Sequence, residues 1–154
     1  MSYQESHWNP RARSPTGVRG IMMLTLNTAK EVGVQSRFNV EQNIWGGARY
    51  LKRMYNRLPE NIPDPDRTYM ALAAYNVGYG HLMDARELAV RLNKNPDSWT
   101  DLAEVLPLLS RKQYYKTLKY GYARGYEPVT YVQRIRDYQD ILEKELQNNL
   151  AKKQ

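Results

Sequence analysis

Residues 66–80 read DRTYMALAAYNVGYG, and the middle of that stretch, Met70 to Ala74, has no polar side chain. A helix with a solvent face alternates apolar and polar residues every three to four positions, so one that is apolar all round belongs in the middle of a core. The sequence predicts a helix over Arg67–Asn76, capped at its start by Asp66 and ended by Gly78 in a left-handed conformation. Helix signals recur around it. Asn39 with Gln42 forms a capping-box start for a helix whose apolar positions are Val40, Ile44, Ala48, Leu51, Met54 and Leu58. Pro59 to Asp66 reads as a loop, Gly78 and Gly80 as a break, and His81–Leu92 as a further helix. Ser98 starts a short helix that stops before Pro107. Pro128, in a first turn, opens a last helix with Tyr131, Ile135, Tyr138, Leu142 and Leu146 on one face.

Strand signals are nearly absent, so the fold class is mainly α, one domain over 1–154. The exception is the first twenty-five residues, where Pro10, Pro15, Gly17 and Gly20 forbid a long helix. That segment is expected to be a turn-rich loop, with a small hairpin around Ser14-Pro15-Thr16-Gly17 near residues 10–25.

Lys and Arg number 23 against 16 Asp and Glu, a net charge of +7, which favours a polyanionic partner: nucleic acid, an anionic membrane face or an acidic cell-wall polymer. The basic, tyrosine-rich stretch 114–126, YYKTLKYGYARGY, is the feature that would serve nucleic acid, but it matches no recognised module, and no nucleic-acid partner is expected. The absence of cysteine excludes disulfides and thiolate metal sites, and the two histidines, His7 and His81, lack ligand spacing; no metal and no cofactor is expected. No apolar run approaches the roughly 20 residues needed to cross a bilayer. Thirteen tyrosines against one phenylalanine suit grooves for polar, ring-shaped ligands, since tyrosine offers a flat face and a hydroxyl.

Two constellations could carry chemistry. Glu5 is followed by Ser6 and Trp8. A carboxyl against aromatic surface loses hydration and its pKa rises, as a general acid near neutral pH requires, although a glutamate near a terminus is ordinarily a solvated charge. The second is Ala73-Ala74-Tyr75-Asn76-Val77-Gly78, readable as a helix end and equally as a place where the Tyr75 hydroxyl and Asn76 amide meet a ligand at a cleft mouth. By themselves Met22 and Met23 read more readily as core filler than as ligand contacts.

Taken in order, Glu5-Ser6, Ser14-Pro15-Thr16-Gly17, Gly20-Ile21-Met22-Met23, Ala74-Tyr75-Asn76-x-Gly78 and Tyr131-Val132-x-x-Ile135 resemble the family 1 lytic transglycosylases, which have a goose-type, lysozyme-like (soluble lytic transglycosylase-like) helical domain. The resemblance spans nearly the whole chain. It implies a carbon–oxygen lyase that cuts peptidoglycan between N-acetylmuramic acid and N-acetylglucosamine and leaves 1,6-anhydromuramoyl ends. Glu5 takes the place of the catalytic acid. Ser14, Met22, Met23, Tyr75, Asn76 and Tyr131 take substrate-binding places, with Tyr75 holding the glutamate, the methionines lining the cleft and Tyr131 facing the sugar. Met23 stands where most relatives have glutamine, a pattern shared by one membrane-bound subgroup. The resemblance further implies glycan strands and muropeptides as partners and a periplasmic place, outer-membrane-associated in the full-length protein; it leaves the oligomeric state open. In that fold the acid ends a long helix. Here only Tyr3 and Gln4 lead into it, so the first helix and the subgroup's regulatory N-terminal domain are expected to be missing, with Glu5 more exposed and its pKa less raised. A fragment that holds glycan without cleaving it is the alternative.

Overall fold

Met70, Ala71, Leu72, Ala73 and Ala74 are all at most 5% exposed in the computed structural model, which describes residues 1–151. They belong to a helix that packs against four others. In chain order the helices are α1 (Ser2–Ser6), α2 (Leu26–Glu31), α3 (Val40–Arg57), α4 (Asp66–Val77), α5 (Tyr79–Arg91), α6 (Trp99–Val105), α7 (Lys112–Tyr115) and α8 (Tyr126–Ala151), with a 3₁₀ turn at Leu106–Ser110. The central α4 contacts α3, α5, α6 and α8, and the main core fills the space between them. A second, smaller core of Ile21, Met22, Leu24, Ala29 and Val34 lies under α3. Tyr75 packs against that smaller core from α4. The mainly α expectation holds, and the described residues contain no strand longer than an isolated bridge.

The loop at residues 10–25 folds back on itself. Arg13 bridges Arg19, Arg19 bridges Leu24, and Gly17 donates its N–H to Ser14 at the turn. One buried asparagine fixes this loop to α3. Asn43 accepts the Met22 N–H at 2.7 Å and donates to the Arg37 carbonyl at 2.9 Å, replacing the water those backbone groups lose. Two glycines permit the contact. A Cβ on Gly20, whose φ is +84°, would sit 2.0 Å from the Arg37 carbonyl oxygen; a Cβ on Gly47 would sit 2.6 Å from Met22.

Several boundaries differ from expectation for local reasons. Asp66 does not cap α4: it lies in the first turn and accepts the Trp99 N–H at 2.6 Å, while Asp64 accepts from Thr68 N–H at 3.2 Å. Gly78 has φ +95° with an extended ψ of 143°, so it links α4 directly to α5, and Gly80 lies inside α5 beneath the Tyr120 ring. Helix α8 begins at Tyr126, two residues before Pro128. Its apolar face is buried at Tyr131 and Ile135, but Leu142 and Leu146 are more than half exposed, beyond the end of the core. The first seven residues, expected as turn, contain α1, whose five residues are too few to be stable alone. Tertiary contacts hold them: Tyr3 meets Tyr138 edge-on at 4.9 Å, and Ser6 donates to the Ile21 carbonyl at 2.8 Å.

Asn43→Ala should therefore cost far more than a surface substitution. It strands a buried N–H and a buried carbonyl, at about 1–3 kcal/mol each, so urea denaturation should show a loss of about 3 kcal/mol with the slope unchanged.

Candidate active site

Helix α1 brings Glu5, near its C-terminal end, against the far end of the chain. The Tyr131 hydroxyl, from the second turn of α8, donates a hydrogen bond to Glu5 Oε1. Tyr131 itself is only 4% exposed, so that hydroxyl is aimed inward. Tyr75, at the end of α4, does not bond to the glutamate. Its hydroxyl donates to the Met22 carbonyl at 2.8 Å and its ring packs edge-on against Tyr50 at 5.3 Å. The expected bond from Tyr75 to the glutamate is thus corrected, while Tyr131 also lines a hollow beside the acid. Tyr131 holds the acid, and Tyr75 holds the loop beside it.

Met22 is also corrected. It is 4% exposed, part of the smaller core, and its Sδ accepts from Ser2 Oγ at 2.9 Å. Met23 turns the other way, with φ +48°, and lines the cleft. Opposite directions for adjacent residues follow from that left-handed backbone at Met23, which its N–H bond to the Gly20 carbonyl helps to maintain.

The cleft over Glu5 has a volume of about 480 Å³, and Ser14, Met23, Tyr75 and Asn76 line it with the acid. A second hollow of about 250 Å³ continues past Asn76 and Glu127 to Tyr131 and Arg134. Both hollows contain Asn76 and Glu127, so together they form one groove. Ser14 shares a hydrogen bond of 2.8 Å with Thr16, another cleft residue. Tyr50, Thr16, Thr28 and Glu127 were not anticipated as cleft residues. Glu127 did leave a signal, because it precedes Tyr131 by one helical turn and so shares its face. It pairs with Arg124 at 3.3 Å.

Burial raises the Glu5 pKa to about 7. The Tyr131 hydroxyl and the Met1 amino group favour the charged form and offset only part of this. Glu5 is half-buried, with only the short α1 carrying it. Burial, and then the Glu5 charge, keep both Tyr75 and Tyr131 above the usual phenol range, so each remains a donor at neutral pH. The arrangement contains one carboxyl close to half-protonated at neutral pH, able to give a proton and take one back. No group of three His, Cys, Asp or Glu able to hold a metal occurs among the described residues.

A protein family described as the Transglycosylase SLT domain matches residues 1–98, which include the loop, α3, α4 and Glu5. Among curated proteins, the membrane-bound lytic murein transglycosylase F of Saccharophagus degradans is 63% identical over 142 residues, covering 92% of this chain and 28% of that protein. The membrane-bound lytic murein transglycosylase F 2 of Alkalilimnicola ehrlichii is likewise 63% identical, over 92% of the chain and 32% of that protein. The Idiomarina loihiensis membrane-bound lytic murein transglycosylase F is also 63% identical, with 31% of its own length covered. The chain thus spans less than a third of the length of these relatives.

The raised pKa is a stability statement with a definite sign. A carboxyl whose folded pKa lies near 7 instead of 4.5 binds its proton more tightly when folded. Its cost is absent below pH 4.5, grows between pH 4.5 and 7, and is complete above pH 7. At about 1.4 kcal/mol per pH unit, the cost comes to about 3 kcal/mol. Glu5→Gln, which keeps an acceptor for Tyr131, should raise the melting temperature at pH 8 and change it little at pH 4, as calorimetry across pH would show.

Proposed function

The chain belongs to the Transglycosylase SLT domain family, and from that premise we propose that it cuts the β-1,4 bond between N-acetylmuramic acid and N-acetylglucosamine in peptidoglycan without water. The observation that carries the reading is a single carboxyl poised near pH 7, half-buried at one wall of a groove made of adjoining hollows of about 480 and 250 Å³. In this scheme protonated Glu5 gives its proton to the glycosidic oxygen as the bond to the muramoyl C1 breaks. The resulting carboxylate then accepts the proton of the muramoyl C6 hydroxyl, whose oxygen attacks C1 and closes the 1,6-anhydro ring. Every atom of the new bond comes from the substrate, so a second catalytic carboxylate has no task. Glu127, the other carboxyl in the groove, is exposed and paired with Arg124, which suits a contact at the mouth better than proton transfer.

Tyr131 fixes the side-chain direction of Glu5 and stabilises its anionic form after the first step. Tyr75 holds the Met22 carbonyl, and through it the loop that presents Met23 and Ser14 to the sugar. Asn76, exposed where the two hollows join, is placed to bond an N-acetyl group or ring hydroxyl across the scissile bond. The alternative, a fragment that binds without cleaving, would require a frayed acid. Glu5 is not frayed, and no observation favours that alternative. We place the protein in the cell envelope, in the periplasm and at the outer membrane, following the membrane-bound relatives.

Digestion of purified sacculi followed by mass spectrometry tests the reaction type. The expected products carry 1,6-anhydromuramoyl ends, and Glu5→Gln should lower their release by about a hundredfold to ten-thousandfold. Products heavier by one water would mark a hydrolase and refute the proposal.

A further inference from the structure

Between Glu5 and Glu31 the sequence has no acidic residue, yet it contains Arg11, Arg13, Arg19 and Lys30. The fold gathers three of these cations on one face, away from the cleft. Arg13 lies over the Phe38 ring with its guanidinium carbon 4.9 Å from the centroid, and Arg19 lies over the same ring at 5.7 Å. Arg11, Arg13, Pro10, Phe38 and Val40 enclose a hollow of about 490 Å³. Nearby acids do not neutralise it. Glu31 pairs with Arg53 at 3.1 Å, and Glu41 makes no ion pair among the described residues. Arg37 lies behind the loop, its guanidinium occupied by the Gly17 and Leu24 carbonyls at 2.7 and 3.1 Å. Loss of hydration, and then the charge on Arg19, push the Arg37 pKa down.

Unpaired guanidinium groups around one ring are a repulsive arrangement that an anion would relieve. Three features narrow the anion. Guanidinium is a planar fork that matches carboxylate bidentately. The floor of Pro10, Phe38 and Val40 is apolar, and Val40 is the first residue of the eighteen-residue α3, whose N-terminal dipole adds positive potential. The hollow has room for a short peptide with small apolar side chains, well beyond a single ion. Its position supplies the source. Ser14, Thr16 and Val18 line the cleft while Arg11 and Arg13 line this hollow, so one folded loop separates the two. We propose that the arginine hollow binds the carboxylates of an acidic peptide, namely the stem peptide carried by the glycan strand in the cleft or by its neighbour. The identity of that peptide rests on the activity proposed above.

The test separates the two claims by using peptide without glycan. The wild-type protein is titrated with a free stem tetrapeptide and with the same peptide amidated at its carboxyls, followed by calorimetry or NMR shifts at low salt. The free acid should bind about tenfold more tightly than the amide, and Arg11→Gln with Arg13→Gln should remove that difference. Neither side chain makes a hydrogen bond among the described residues, and the Arg13 contact with Phe38 is at the surface, so the double variant should lower the melting temperature only slightly and keep its cleavage of peptide-free glycan strands. Arg11→Gln alone, on an exposed loop residue, should weaken acid binding about threefold and serves should the double variant not fold. Equal affinity for acid and amide overturns the inference. So does acid binding that survives both substitutions, or arginine-dependent binding to phosphatidylglycerol vesicles with no response to the peptide. A wild-type protein that leaves glycan strands intact refutes the proposed activity instead, and the peptide titration still decides the binding claim.

Discussion

The hydrogen bond from the Tyr131 hydroxyl to Glu5 Oε1 joins residues 126 positions apart, the first short helix to the last long one. Five residues cannot pay the entropy of helix formation from their own backbone bonds. The place of α1, and hence of its carboxyl, is set by what α8 and the loop at 20–23 offer it. Those same contacts remove water from Glu5, so what positions the group also raises its affinity for a proton. Stability and chemistry pull against each other at this residue, and the cost is already present at the neutral pH where the acid would act.

Behind that contact lies a chain of supports that set the position of the loop. Asn43 ties the Met22 N–H to α3, Gly20 and Gly47 let loop and helix approach, and Tyr75 ties the Met22 carbonyl to α4. Met22 is therefore held at both its backbone groups, with its side chain in the smaller core. The turn at Met23 follows at once and delivers a side chain to the cleft. The loop carries different chemistry on its two sides, uncharged toward the cleft, cationic away from it.

The helices that build the core were legible because their signals are local. The unbroken apolar run at Met70–Ala74 identified the central helix, and Asn39 with Gln42 located the start of α3 to the residue. Helices α1 and α7, of five and four residues, escaped because elements so short leave no periodicity, and α1 is held by contacts far along the chain. The site was legible as a set of residues but not as a set of bonds. Order along the chain brought Glu5, Tyr75 and Tyr131 together, yet which phenol meets the carboxyl depends on helix rotation and on the depth of the loop. The partition of Met22 and Met23 was hidden for a similar reason: a positive φ at a methionine has no sequence signature.

The proposed chemistry depends on Glu5 being a half-buried, Tyr131-bonded acid. Selective carbon-13 labelling of the glutamates, with the Glu5 carboxyl resonance identified by its loss in Glu5→Gln and followed by NMR from pH 3 to pH 9, measures this directly. A midpoint of about 7 is predicted. A midpoint near 4.5, that of a solvated glutamate, would contradict the burial of the group and with it the reading of the groove as a site of proton transfer.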